Sequence, residues 1–83
     1  MNDPSEAIRE IVGSYGHLGI DVNVLRDEDD LFELGMTSHA TVNVMLALEE
    51  EFDIEFPENL LTKRTFESVA AMRSVVSDLA RAA

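Results

Sequence analysis

Leu34-Gly35-Met36-Thr37-Ser38 decides how this chain is read, because it leads a glycine turn into a stretch free of proline and glycine from about Ser38 to Phe52. Two hydroxyl side chains meet where that helix should start. Either Thr37 or Ser38 can act as N-cap, a contribution of about 0.5–2 kcal/mol, so one hydroxyl is left over. Gly35 permits a tight turn that presents the spare hydroxyl to solvent. An anion attached there would meet the unsatisfied amides and the dipole of a helix N-terminus, worth roughly 0.3–1 kcal/mol.

The charge around this stretch is one-sided. Between Asp27 and Glu58 there are eleven acidic side chains and no Lys or Arg, which accounts for the whole formal charge of −11. Such a surface repels nucleic acid and anionic lipid and attracts basic protein patches. The expected partner is therefore a protein with a cationic face, with no nucleic acid and no membrane involved. Repulsion between these acids and an anion on Ser38 is screened beyond a Debye length of about 8 Å.

Eighty-three residues make one domain, 1–83, large enough for a small core without staples. With no cysteine there is no disulfide framework, thiolate zinc site or cysteine nucleophile. No charged-then-apolar leader is visible, and the apolar runs fall short of the roughly 20 residues that span a bilayer. A cytoplasmic monomer is expected.

Periodicity supplies the elements around Ser38. Asp3-Pro4-Ser5-Glu6 is a helix-start signal, and Ile8, Ile11, Val12 and Tyr15 follow at helical spacing until Gly16. A connection of about twenty residues then reaches Thr37, with Val22, Val24, Leu25, Leu31, Phe32 and Leu34 as its expected anchors to the core. On the helix from Ser38, spacing places Thr41, Val44, Met45, Leu48 and Phe52 on a core face, and Val42, Leu46, Glu49, Glu50 and Asp53 on a solvent face. A short helical turn is expected over Glu58 to Leu61, and a last helix capped by Thr65 carries Phe66, Val69, Met72, Val76 and Leu79. No segment alternates with period two, so the chain is read as all-α, with three longer helices, one short helix and a long loop between the first two.

Enzymatic and metal-binding readings of these residues are weak. His39 is adjacent to Ser38, where helical side chains diverge too far for a general base to reach the hydroxyl, and the run fails G-x-S-x-G. Asp27, Asp29 and Leu31 start a calcium-loop rhythm and break it, with no glycine at the sixth position and no acid at the twelfth. No catalytic residue and no defined metal site is assigned. A noncovalent acidic adaptor, using Ser38 only as a cap, is the alternative to a covalently modified serine.

The block Leu34 to Ser38, followed by Thr41-Val42, by Ala47-Leu48-Glu49-Glu50-Glu51-Phe52-Asp53 and by Ile54-Glu55-Phe56-Pro57, resembles the acyl carrier protein family. The resemblance covers nearly the whole chain and implies a four-helix bundle. It implies that a phosphopantetheinyl transferase attaches 4'-phosphopantetheine from coenzyme A to Ser38, flanked by Gly35, Met36, Thr37 and His39. The arm would hold an acyl or aminoacyl group as a thioester for a loading ligase and downstream transferases, and the chain would catalyse nothing itself. Val42, Leu46, Glu49 and Glu50 are the implied partner-binding residues. Thr37 and His39 stand where the family usually has Asp and Leu, which points to dedicated rather than housekeeping partners. Free-standing aminoacyl carriers are one such kind.

Overall fold

A computed structural model describes residues 3–82. It contains α1 (Ser5–Tyr15), α2 (Ser38–Phe52), a short α3 (Lys63–Phe66) and α4 (Val69–Ala82), with 3-10 turns at Val22–Val24 and Glu58–Leu60 and no strand among the described residues. No described helix is long and apolar enough to cross a membrane.

The start of α1 follows its sequence signal. The Asp3 carboxylate accepts the Ser5 N–H at 2.9 Å, and this bond holds the Asp3 pKa below the usual carboxylate range. Its contribution to stability is present above the ordinary carboxylate pKa and is lost as pH falls through the lowered one. The apolar face is narrower than its spacing suggests. Ile8 and Val12 are fully buried and Ile11 packs partly against the core, whereas Tyr15 lies in the last turn and is 45% exposed. The chain leaves α1 through His17 at φ 53°, a left-handed conformation that histidine adopts more readily than bulky residues do.

The core lies where α1 packs on both α2 and α4. Val44 and Leu48 of α2 and Val69, Met72 and Val76 of α4 are buried at helical spacing, with Met45, Phe52 and Leu79 packed at the edge. Ala40 joins them at the first turn of α2. Asp53 ends α2 in the left-handed region, φ 52°, where its N–H and that of Ile54 both turn back to the Glu49 carbonyl.

Two expectations about the second half need correction. The turn at Glu58–Leu60 is 3-10 rather than α, and the short α-helix follows it at Lys63–Phe66. Thr65 caps nothing. Thr62 caps α3 by accepting the Thr65 N–H, Thr65 is buried inside that helix, and Ser68 caps α4 by accepting the Ala71 N–H at 3.0 Å. Phe66 consequently belongs to α3 and packs on the Phe56 ring, with centroids 5.3 Å apart.

The long loop is held by its own acids. Leu25 and Leu31 are buried, and Val22, Phe32 and Leu34 pack partly against the core, while Val24 is 67% exposed on the outer side of its 3-10 turn. Asp27 takes both Arg9 of α1 and Arg73 of α4, and the Asp27 carbonyl accepts the Ala70 N–H, one of the unsatisfied amides at the start of α4. Asp30 accepts the N–H groups of Phe32 and Glu33, and Asp29 accepts that of Arg26. Side chains that sequence alone reads as solvated charge thereby fix the path of the chain into Gly35.

Candidate functional site

Gly35 makes the turn before α2 with φ 109°, a conformation that side chains rarely adopt. Its N–H reaches the Phe32 carbonyl, that of Met36 reaches the Leu31 carbonyl, and the Leu34 carbonyl accepts the Gly19 N–H at 3.0 Å. Tied on both sides, the turn sends Met36 inward and Ser38 outward. Met36 is 3% exposed, so its side chain is core and groove wall rather than part of an exposed surround for the serine.

Thr37 settles which hydroxyl is free. Its backbone is extended and its Oγ1 accepts the Ala40 N–H at 3.0 Å, the geometry of an N-cap. Ser38 becomes the first residue of α2, exposed, with its hydroxyl uncommitted among the described residues. Replacing Thr37 by Val keeps the shape and removes the cap, so we expect a loss of about 0.5–2 kcal/mol in denaturant unfolding, with Ser38 still available for modification.

Ser38 opens onto a groove of about 680 Å³ between the end of the long loop, α2 and the segment entering α3. Its walls include Phe32, Met36, Met45 and Phe66, with Thr37, Thr41 and Val42 along the α2 side and Leu61, Thr62 and Lys63 opposite. The Lys63 ammonium lies over the Phe32 ring, 5.0 Å from its centroid. Phe32, Leu61 and Lys63 were not singled out as site residues by sequence reasoning. Leu61 and Lys63 come from a segment distant in the chain, Phe32 from the loop just before α2, and no periodicity links any of them to Ser38.

Along α2, Val42 and Leu46 are 50% and 52% exposed, and Glu50 points outward beside them. His39 is exposed next to Ser38. Glu49 departs from the expected solvent face. It is half-buried, and its carboxylate accepts the Phe56 N–H at 2.9 Å because the left-handed turn at Asp53 folds the chain back over the end of α2. One oxygen of the Glu49 carboxylate is thereby engaged with the backbone.

An exposed, uncommitted hydroxyl at the head of a 15-residue helix, above an open groove, fits a covalently attached phosphodiester arm. The family described as the phosphopantetheine attachment site matches residues 6–72, and the chain belongs to it. Such a domain is a carrier protein, and the group it carries is 4'-phosphopantetheine. Among relatives, the aminoacyl carrier protein of Agrobacterium fabrum is 46% identical over 69 residues, covering 83% of each chain. A chain in the crystal structure of an engineered Bradyrhizobium japonicum glycine:[carrier protein] ligase complexed with carrier protein from Agrobacterium tumefaciens and AMP aligns with TM-score 0.85 and 44% identity. That alignment covers 88% of this chain and 97% of that one. The solution structure of a holo acyl carrier protein from Nitrosomonas europaea aligns with TM-score 0.78 and 27% identity over 99% and 100% of the two chains. The acyl carrier fold expected from the resemblance is thus the fold observed.

Proposed function

We propose that Ser38 is the attachment point of the arm, that the cargo is an aminoacyl group, and that an amino acid:[carrier protein] ligase loads it. The single observation that carries this reading is the division of labour at the start of α2. Thr37 does the capping, so Ser38 has no structural duty to explain its presence there. The adaptor reading needs Ser38 as the cap, and that role is taken. The relatedness to an aminoacyl carrier and to a chain solved with a glycine ligase supports the choice of cargo.

The residues divide the work as follows. Gly35 and the loop hydrogen bonds hold the serine at a fixed place on the surface, and the first-turn amides of α2 favour the negative charge joined to it. 4'-Phosphopantetheine supplies a terminal thiol that carries the cargo as a thioester. Val42 and Leu46 offer partners an apolar contact, and Glu50 with its acidic neighbours steers basic surfaces toward it. His39, in place of an apolar residue beside the serine, selects for dedicated enzymes. A phosphopantetheinyl transferase and downstream transferases complete the partner set. The reading places the chain in the cytoplasm and assigns no catalytic step to its own side chains.

A loading assay tests the cargo. Holo protein incubated with ATP, an amino acid ligase of this class and single amino acids should gain the mass of one aminoacyl residue with a small amino acid. Rising salt should slow the reaction by screening the acidic face. Failure with every amino acid, together with efficient loading by a fatty acyl ligase, would replace the aminoacyl reading with a lipid one.

A further inference from the structure

We propose that Lys63 is the cation that pairs with the phosphodiester on Ser38, leaving the Phe32 ring to do so. This rests on the reading of Ser38 as the attachment point. The argument begins with charge. Ser38 lies inside a window, Asp27 to Glu58, that holds eleven acids and no Lys or Arg, so a phosphodiester adds negative charge where the neighbouring base in sequence is the imidazole of His39 and no Lys or Arg is near. The fold brings one base to the groove that Ser38 lines, and it is Lys63. Of the other bases, Arg9 and Arg73 hold Asp27 and Arg26 lies against Asp29, while Arg64, exposed beside Lys63, does not line the groove.

Lys63 itself makes no ion pair among the described residues. Its ammonium rests over the half-buried Phe32 ring, 5.0 Å from the centroid, and the residue is exposed. A cation over an aromatic face in contact with water is weakly held, whereas a hydrogen bond between an ammonium and a phosphate is charge-assisted and stronger. Lysine carries its charge on a flexible four-carbon stem, which allows it to turn from the ring toward the serine without moving α3. The neighbouring Thr62 is fixed in its capping bond, so the backbone at this rim stays in place. Attachment of the arm would then uncover the Phe32 face, linking the modification state of Ser38 to the entrance of the groove.

Ring-current shifts report this exchange directly. In the apo protein the ε-methylene protons of Lys63 should be displaced upfield by Phe32. After incubation with coenzyme A and a phosphopantetheinyl transferase, with attachment verified by intact mass, that displacement should fall by about half or more. Ser38→Ala treated identically should show no change. The phosphodiester resonance in 31P spectra should move in Lys63→Met and stay in place in Arg64→Met, a neighbouring exposed base. A Lys63 displacement that is absent in the apo protein, or that persists unchanged once the arm is attached, would overturn the proposal. An absent mass gain would instead overturn the assignment of Ser38, and this inference with it.

Discussion

Leu48→Ala should lower the stability of the domain by about 2–5 kcal/mol, with no direct effect on the surface that partners meet. Leu48 is fully buried in the third turn of α2, with Ile8, Val12, Val44, Val69 and Met72 also fully buried in the same core cluster. Truncation removes its transfer free energy and leaves a cavity that helices fixed at both ends close only in part. Leu46 is two residues away and 52% exposed. Leu46→Ala should change stability by no more than about 0.5 kcal/mol while weakening loading by partner enzymes, because a half-exposed leucine gains most of its burial at an interface. Paired urea titrations and loading rates separate the two roles. Equal destabilisation by both substitutions would mean that α2 presents its faces differently from this structure.

Ser38→Ala should abolish loading completely and leave folding intact. No other hydroxyl takes over, since Thr37 Oγ1 is occupied with the Ala40 N–H and Thr41 Oγ1 donates to the Thr37 carbonyl at 2.8 Å. The stability cost should stay within about 0.5 kcal/mol, as for exposed positions without a structural bond. Thr37→Val should show the opposite pattern, with stability lost and loading retained. That double dissociation follows from the assignment of the cap to one hydroxyl and of the attachment to the other. A large unfolding effect of Ser38→Ala would give the serine a structural role and weaken the carrier assignment.

Much of this was legible in the sequence because it depends on spacing. Val44 and Leu48, and Val69, Met72 and Val76, recur at helical intervals and are buried accordingly. The turn at Gly35 was legible because only a few residue types accept its backbone. The short helix was misplaced because Thr62, Thr65 and Ser68 are all competent caps at three-residue intervals, and only packing of Phe66 on Phe56 selects the first and last. The half-burial of Glu49 was not legible because its hydrogen-bond partner, the Phe56 N–H, arrives only after the chain reverses at Asp53. Asp27 looked like part of a charged surface because Arg9 and Arg73 lie 18 and 46 residues away from it in sequence. The groove was invisible for the same reason. Its walls meet only when the loop, α2 and the approach to α3 are packed together.

The central claim is that Ser38 carries the arm, and intact-mass spectrometry with peptide mapping tests it most directly. Wild-type protein incubated with coenzyme A and a broad-specificity phosphopantetheinyl transferase should gain one phosphopantetheine, located on Ser38, while Ser38→Ala gains none. An unchanged wild-type mass, or an equal gain in Ser38→Ala, would contradict the account.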